Sequence, residues 1–327
     1  MQLFIAASES TTKIGTDLDV GPGAWAILGA IVVAMIVVDF AIFGRGRREV
    51  SLREAVIWSI GWLLLAIGFT GVLAAWEGSS AASEYLAGYL VERSLSLDNI
   101  FVFAVIFSYF SVPLAVQPRV LAWGIALALV LRLVFIVLGA ALLSALHLTF
   151  YAFGLLLLYT AWKLFTHKEA EVHPESNPVL KLVRRRVPMT KDYRGHRVLV
   201  REQGRLMATP LVAVFVVIAT TDIVFAIDSI PAIFAITTEP FVVFAANAFA
   251  LLGMRALYFA VAGLMDRFAY LSQGLAVILA FIAVKMLLVD LWHPPIWLSL
   301  AVICGVLAAT AWISLKFGPK PAEKVEA

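Results

Sequence analysis

The sequence predicts an all-α membrane protein with about nine transmembrane helices, in which spans 3–5 and spans 6–8 form two inverted three-helix repeats. Composition is the first observation behind this prediction: 62% of the 327 residues are hydrophobic, 14% are charged, and the mean hydropathy is +0.95. Water-soluble domains do not have this composition. The second observation is a series of long apolar runs, and the third is an acidic motif that occurs twice.

The apolar runs define the predicted spans. A transmembrane helix needs about 20 mostly apolar residues, and such runs lie at roughly residues 24–43, 55–75, 82–110, 120–144, 148–166, 210–236, 241–264, 272–290 and 296–316. These runs are apolar on all sides, whereas the strands of a membrane β-barrel alternate in polarity. A helical bundle is therefore the predicted architecture.

Basic residues predict the orientation, because Lys and Arg near span ends are retained in the cytoplasm. Arg45, Arg47, Arg48 and Arg53 follow the first span, and a second basic stretch occupies residues 167–209. Placing both inside puts the N-terminus outside and the C-terminus in the cytoplasm. We expect a multi-pass protein of the bacterial inner (cytoplasmic) membrane, embedded in the lipid bilayer.

The spans and loops divide the chain into six segments. In order, they are an extracytoplasmic N-terminus (1–23), two N-terminal helices (24–75), the first repeat (76–166), a basic cytoplasmic loop (167–209), the second repeat (210–291), and a final helix with a cytoplasmic tail (292–327). Within the loop, Gln203-Gly204 favours a short hairpin. The loop either caps the cytoplasmic mouth of the bundle or is a solvated connector.

An internal repeat is the most informative feature of the sequence. The stretch that begins at Glu92 and continues to Asp98-Asn99-Ile100 has the same spacing as the stretch from Asp222 to Asp228-Ser229-Ile230. Downstream, Arg132 corresponds to Arg255, and Lys163 corresponds to Lys285. Since each copy has three spans, an odd number, the copies insert in opposite directions. Inverted repeats of this kind are typical of secondary transporters, whose sites lie near the membrane midplane.

The repeated acids need partners. One charged side chain at the middle of a membrane helix costs roughly 2.5–3.5 kcal/mol, so the four acids Glu92, Asp98, Asp222 and Asp228 cost on the order of 10 kcal/mol together. Either they bind a cation, or they only neutralise the intramembrane bases. We interpret Arg132 and Arg255 as counter-charges that hold the empty site together.

Lys163, Lys285 and Asp39 are further ionisable residues within the predicted spans. Lys163 and Lys285 stand near span ends, so we expect their side chains to snorkel to the interface. Asp39 lies deep in the first span and outside the repeat. A functional role and a structural ion pair are both open for it.

Helix geometry restricts how the acids meet. Positions six apart on an unbroken α-helix lie about 9 Å apart along the axis and roughly 240° apart around it. Neither acid pair then faces a single point. We therefore predict a helix break in each copy, at Ser94, Ser96 and Asn99 in the first and at Pro231 in the second.

The predicted ligands are all oxygen atoms. The metal site is expected to comprise Glu92, Asp98, Asn99, Asp222, Asp228 and Ser229. Oxygen ligands suit hard divalent ions such as Mg²⁺, Ca²⁺ and Mn²⁺, whereas zinc and copper prefer imidazole or thiolate. Catalytic motifs and nucleic-acid-binding stripes are absent from the sequence, so we expect neither an enzyme nor a nucleic-acid partner, and no permanently bound cofactor.

The motifs together resemble the TerC/Alx family of integral membrane proteins. The resemblance extends from about Asp39 to Leu288 and is carried by Glu92-x-Ser-Leu-Ser-x-Asp98-Asn99, Thr221-Asp222-Ile-x-Phe-Ala-x-Asp228-Ser229-Ile-Pro231-Ala, the Tyr-Thr-Ala-x-Lys-Leu-Phe of span five and Ala208-Thr209-Pro210-Leu211. It implies a role in metal homeostasis, with manganese export and tellurium resistance associated with the family. The family's motif acids correspond here to Glu92, Asp98, Asp222 and Asp228, and Asp39 matches an acid of the first span.

The leading functional hypothesis is a proton-coupled exporter of Mn²⁺ or a related hard cation. Two alternatives stay open at this point. One is a membrane scaffold for a metal or tellurite stress-response complex, recruited through the basic loop. The other is a proton or monovalent-cation exchanger.

Overall fold

A computed structural model describes residues 14–16, 18, 20–43, 51–166, 177–190, 192–195, 197–202, 205–261, 270–291 and 294–317. Within these residues, the chain forms helices and one short hairpin. In order, these are α1 (Pro22–Phe43), α2 (Leu52–Trp76), α3 (Gly78–Tyr109), α4 (Gln117–Ala145), α5 (Leu148–Thr166), α6 (Pro178–Arg186), β1 (Leu199–Glu202), β2 (Arg205–Ala208), α7 (Pro210–Phe234), α8 (Pro240–Leu252), α9 (Met254–Val261), α10 (Leu271–Leu287) and α11 (Ile296–Phe317).

Seven helical stretches of the described residues are long and apolar enough to cross a membrane. They are Pro22–Ala41, Leu52–Trp76, Gln117–Ala145, Leu148–Thr166, Pro210–Phe234, Pro240–Ala260 and Ile296–Ser314. The prediction of an all-α membrane protein is therefore confirmed. Helix α3 is 32 residues long but carries charged side chains, and α10 is apolar but shorter. The total of nine spans stays a prediction.

Local sequence signals set several helix ends. Ser51 caps α2: its hydroxyl accepts from the backbone N–H of Glu54, and the Glu54 side chain accepts from the backbone N–H of Ser51, so two donors at the helix start are satisfied. Glu77 alone separates α2 from α3, and Gly78 has a φ of +89°. Glycine allows this positive φ because it has no Cβ.

Helix α8 is the centre of the bundle. All of its residues from Phe241 to Leu252 are buried, and it packs against α1, α3 and α4. Its alanines allow close approach: a Cβ added to Gly88 of α3 would lie 3.3 Å from the Cβ of Ala246. Small residues at helix contacts are typical of membrane bundles, because they let backbones come close.

Helices that occupy corresponding positions in the two predicted repeats contact each other. Helix α3 packs against α7, α4 against α8, and α5 against α10. Helices α5 and α10 approach each other closely at Gly154, where an added Cβ would lie 2.8 Å from Cγ of Leu287.

The basic loop packs against the bundle in its described part. Asn177 caps α6 and also donates from Nδ2 to the Thr220 hydroxyl of α7, at 2.6 Å. The hydroxyl of Tyr193 donates to the carbonyl of Phe110 at the end of α3, at 2.6 Å, and burial raises the pKa of Tyr193. These contacts favour a loop that packs against the side of α7 and the end of α3 over a fully solvated connector.

Strands β1 and β2 confirm the predicted hairpin. They pair antiparallel from Leu199 opposite Ala208 to Glu202 opposite Arg205. The two predicted turn residues, Gln203 and Gly204, lie outside the described residues. So do Arg45, Arg47 and Arg48, which are three of the basic residues that set the predicted orientation, and the residues after 317.

The segment before α1 lies across the bundle. We call residues 14–16 the strap. The backbone N–H of Thr238, in the linker between α7 and α8, donates to the carbonyl of Ile14 at 2.8 Å, and Thr16 donates to Glu84 of α3. Leu18 is buried and packs into the core. The strap is therefore attached to both predicted repeats.

The predicted helix breaks are wrong. Residues 78–109 form one continuous helix, and so do residues 210–234. The Ser94 hydroxyl donates to the carbonyl of Leu90 at 2.6 Å, which satisfies the hydroxyl without opening the helix. Pro231 lies in the last turn of α7, where its missing N–H costs at most one backbone hydrogen bond before the helix ends at Phe234.

Candidate cation-binding site

Arg132 of α4 lies at the junction of four helices. Its Nη1 donates to Oε1 of Glu92 on α3, and its Nη2 lies 3.6 Å from Oδ1 of Asp222 on α7. Nη1 also lies 2.7 Å from Oδ1 of Asn247 on α8 and 3.2 Å from the hydroxyl of Ser229 on α7. The three charged side chains are no more than 2% exposed. Two buried acids from the two predicted repeats therefore share one guanidinium.

The charges of this cluster do not balance. Glu92 and Asp222 carry two negative charges and Arg132 carries one positive charge, so one negative charge is left. Oε2 of Glu92 and both carboxylate oxygens of Asp222 have no hydrogen-bond partner among the described residues. Buried carboxylate oxygens without partners cost free energy. The cluster is consequently suited to receive a cation.

A cavity of about 150 Å³ adjoins Arg132. Its polar lining consists of Asn99, Arg132, Thr160, Lys163, Asp228 and Ser229. The Thr160 hydroxyl donates to Oδ1 of Asp228 at 2.8 Å. A single water needs about 10–15 Å³ of such space, so the cavity has room for several waters or a partly hydrated ion.

The predicted ligands divide into two adjacent groups. Glu92, Asp222 and Ser229 meet at Arg132, while Asn99, Asp228 and Ser229 line the cavity. This division follows from the unbroken helices, because acids six residues apart point in different directions. The backbone of Asp98 lies in α3, but its side chain is outside the described part of the chain. In the part that is described, no group of three or more His, Cys, Asp and Glu could hold a metal ion.

Arg255 lies outside this cluster. Its Nη2 is 2.6 Å from Oδ2 of Asp39 on α1, and its Nη1 donates to the carbonyl of Pro118 at 3.4 Å. Although Arg132 and Arg255 correspond in the repeat, they have different acidic partners. A functional role and a structural ion pair were both open for Asp39, and the structure shows the ion pair.

Sequence-based prediction missed the polar residue Asn247 and misplaced Lys285. Asn247 is the only polar residue of the α8 sequence Pro-Phe-Val-Val-Phe-Ala-Ala-Asn-Ala-Phe-Ala-Leu-Leu, a signal that could have identified it. Lys285 does not snorkel: it is buried and its Nζ lies 3.5 Å from the Ser299 hydroxyl, because α11 covers this end of α10. Lys163 is exposed, as expected for a snorkelling side chain.

Comparison with known proteins decides the family. The model of the integral membrane protein TerC family matches residues 77–320 of the chain. The chain belongs to the TerC family. The resemblance found in the sequence is thereby confirmed, and Glu92, Asp98, Asp222 and Asp228 all lie within the matched residues.

Several TerC-family relatives align over most of their length. An uncharacterized membrane protein of Myxococcus xanthus, STKORF319, is 44% identical over 90% of this chain and 92% of its own. A protein of Escherichia coli K12 named "Putative membrane-bound redox modulator Alx" is 41% identical over 90% of this chain and 96% of its own. The protein of the same name in Salmonella typhi is 42% identical over 90% and 94%. No solved structure matches the chain.

Proposed function

We propose that this TerC-family protein is a transporter rather than an enzyme, and that it exports Mn²⁺ or a related hard divalent cation. The observation that carries the proposal is the cluster at Arg132. Two buried carboxylates, Glu92 and Asp222, face one guanidinium and retain three oxygens without hydrogen bonds among the described residues. A carboxylate pair that only neutralised a structural arginine would be expected to have its oxygens satisfied.

The charges near Arg132 suit a divalent ion. Glu92, Asp222, Asp228 and the proposed ligand Asp98 together carry four negative charges. Arg132 and Lys163, which lines the same cavity, carry two positive charges, which leaves two negative charges for a cation to neutralise. The neighbouring side chains of Asn99, Thr160 and Ser229 add only oxygen acceptors and an amide. Hard ions such as Mn²⁺ bind oxygen ligands of this kind. Asp98 belongs to the proposed ligand set through its place in the repeated motif.

Export requires energy, and protons are the proposed source. Moving two positive charges outward against the membrane potential costs about 4.6 kcal/mol per 100 mV. A protonated carboxylic acid is less costly to bury than a carboxylate. We propose that one of the two acids, Glu92 or Asp222, accepts a proton as the metal leaves and that Arg132 then holds the carboxylate that remains charged.

Alternating access of two inverted repeats is the proposed mechanism. The pairwise contacts of α3 with α7, α4 with α8 and α5 with α10 support it, because a two-fold axis would bring equivalent helices together. The proposal includes nine spans in the bacterial inner membrane, with the N-terminus outside and the C-terminus in the cytoplasm. The strap, the start of α3 and the α7–α8 linker then lie on one side, in agreement with their mutual contacts.

The redox role in the relatives' names fits metal export better than thiol chemistry. The sequence has a single cysteine, Cys304, and a dithiol reaction within one chain needs two. Manganese itself is redox-active, so removing it changes the redox balance of a cell. Tellurium resistance has no counterpart in the site, because a cluster with net negative charge repels an oxyanion.

The experiment measures the manganese content of manganese-loaded cells that express the wild type or a variant. We expect the wild type to lower cell manganese and Asp222→Asn, Glu92→Gln, Asp228→Asn and Asp98→Asn to lose this effect. Asp192→Asn is the matched control, because it makes the same change at an exposed loop position. Protein levels in the membrane fraction are measured for every variant.

Three outcomes would contradict the proposal. If the acid variants lower cell manganese as well as the wild type does, the cluster is not the transport site. A loss that follows changes in residues 177–209 rather than in the acids would favour a scaffold. In liposomes, ion flux that is independent of divalent cations would favour a proton or monovalent-cation exchanger.

A further inference from the structure

A buried carboxylate outside the proposed site has no role in the mechanism above. Glu84 of α3 is fully buried. Its Oε1 accepts from the backbone N–H of Thr16 at 2.7 Å and from the Thr16 hydroxyl. Its Oε2 is buried without a hydrogen-bond partner among the described residues. Neutral donors from a segment that precedes the first span therefore cover one oxygen, and the other is unsatisfied.

The strap lies directly on this carboxylate. Gly15 has a φ of +96°, and an added Cβ would lie 2.7 Å from Oε2 of Glu84. Only glycine permits both the backbone conformation and the close approach. At its other attachment, the backbone N–H and hydroxyl of Thr238 donate to the carbonyl of Ile14 at 2.8 and 3.1 Å. The strap thus covers Glu84 and ties α3 to the α7–α8 linker.

Within the described part of the chain, no base pairs directly with the charge of Glu84. Lys285 of α10 is buried and interacts with Glu84 electrostatically, but its Nζ hydrogen-bonds Ser299 instead, at 3.5 Å. No ion pair within 4 Å joins Glu84 to any base among the described residues. As at Arg132, a buried carboxylate oxygen here has no hydrogen-bond partner among the described residues.

Glu84 lies on the same helix as two of the repeated acids, closer to the start of that helix. It precedes Glu92 by eight residues on the same unbroken helix, which places it about 12 Å away along the axis and about 80° around it. Asp98 follows Glu92 about 9 Å further on. The three acids of α3 therefore extend over about 21 Å of a hydrocarbon core that is about 30 Å thick.

From this geometry we infer that Glu84 is a second binding station for the divalent cation, on the extracytoplasmic side of Arg132, and that the strap is its cover. The inference rests on the proposed export function. A cation that leaves the Arg132 cluster reaches Glu84, displaces the Thr16 donors from its carboxylate, and so releases the strap from α3. When the cation departs, Thr16 binds Glu84 again.

Thiol labelling of the purified full-length protein tests this inference without measuring transport. In a Cys304→Ser background, Thr238→Cys places one thiol beneath the strap. We expect millimolar Mn²⁺ to accelerate its reaction with a maleimide by about tenfold, because the cation replaces the hydrogen bonds that hold the strap closed. A potassium salt of equal ionic strength should leave the rate unchanged.

Two variants complete this experiment. Glu84→Gln should label fast with or without Mn²⁺, since the neutral amide binds the cation and the strap weakly. Gly15→Ala should also label fast, because its Cβ displaces the strap while Glu84 stays intact. The inference is overturned if Mn²⁺ does not change the maleimide-labelling rate when Glu84 is present. It is also overturned if Mn²⁺ changes the labelling rate of Glu84→Gln by the same factor.

Export measurements separate this inference from the proposed function. Glu84→Gln should lower manganese export, whereas Glu77→Gln, the same change at the loop before α3, should not. If Glu84→Gln exports manganese as well as the wild type does, the inference of a second binding station at Glu84 is overturned, but the proposed export function is not. If the wild type exports nothing but the labelling response occurs, the export proposal fails and Glu84 stands as a cation site.

Discussion

Arg132 combines structural and functional roles in one side chain. It contacts α3, α7 and α8 from its position on α4, and Glu92 and Asp222 are buried only because it is there. A guanidinium suits this position because it stays charged and presents several donors in a plane. An incoming cation therefore competes with a residue that the fold itself requires.

The first residue-scale prediction follows from that competition. Arg132→Gln leaves Glu92 and Asp222 buried without a counter-charge, which should lower the free energy of unfolding by about 3–5 kcal/mol. Thermal unfolding in detergent measures the change. Mn²⁺ should raise the unfolding midpoint of the variant more than that of the wild type, because it replaces the lost charge.

Arg119→Gln is the matched control for this prediction, since Arg119 lies on the same helix but is exposed. It should unfold close to the wild-type temperature. If Arg132→Gln unfolds there too, the guanidinium is not the counter-charge of the two acids.

At the scale of helices, the contact between α5 and α10 depends on a glycine. An added Cβ at Gly154 would lie 2.8 Å from Cγ of Leu287 and 3.3 Å from the backbone carbonyl of Ala283. Neither atom is the free end of a long side chain. A side chain at this position would therefore push the two helices apart.

Gly154→Ala should destabilise the protein by about 1–3 kcal/mol through this overpacking. Gly68→Ala on α2 is the matched control, because an added Cβ there meets nothing within 4 Å, and alanine is the better helix former. Unfolding midpoints of both variants in one detergent provide the measurement. Equal midpoints would mean that α5 and α10 adjust freely.

For the whole molecule, the sequence predicted the membrane class, the hairpin and the family correctly, since each depends on local composition or motif. It also identified the acids that meet at Arg132, because buried charges in apolar runs are conspicuous. It did not predict that Arg255, expected to hold the same site as Arg132, pairs with Asp39 instead. Nor did it predict that α3 and α7 are unbroken, which the Ser94–Leu90 hydrogen bond and the terminal position of Pro231 explain only after the fact.

Glu84 and Lys285 show a second limit of sequence reading. Glu84 lies near the predicted start of a span, where an acid is expected to be solvated, and it is buried only because the strap returns over it. Lys285 is buried because α11 folds back on α10. Both depend on contacts between segments distant in the sequence, which neither composition nor periodicity reports.

The topology yields a prediction for the whole molecule. Between Asp192 and Asp290 the proposed arrangement has three spans, so the two residues should lie on opposite sides of the membrane. In a Cys304→Ser background, a membrane-impermeant maleimide added outside the inner membrane should label Asp290→Cys but not Asp192→Cys. Labelling of both positions from one side would contradict the three-span repeat, and the reverse pattern would invert the orientation.

The complete enclosure of α8 also bears on how the protein is made. Helices α1, α3 and α4 all pack on α8, yet they are synthesised before it. A nascent chain that has not reached Pro240 lacks the helix that these three enclose, although α2 with α3 and α7 with α3 and α4 already have each other as partners. The core is therefore completed late in translation, and a chain cut short before residue 253 should be a substrate for membrane quality-control proteases rather than a smaller folded protein.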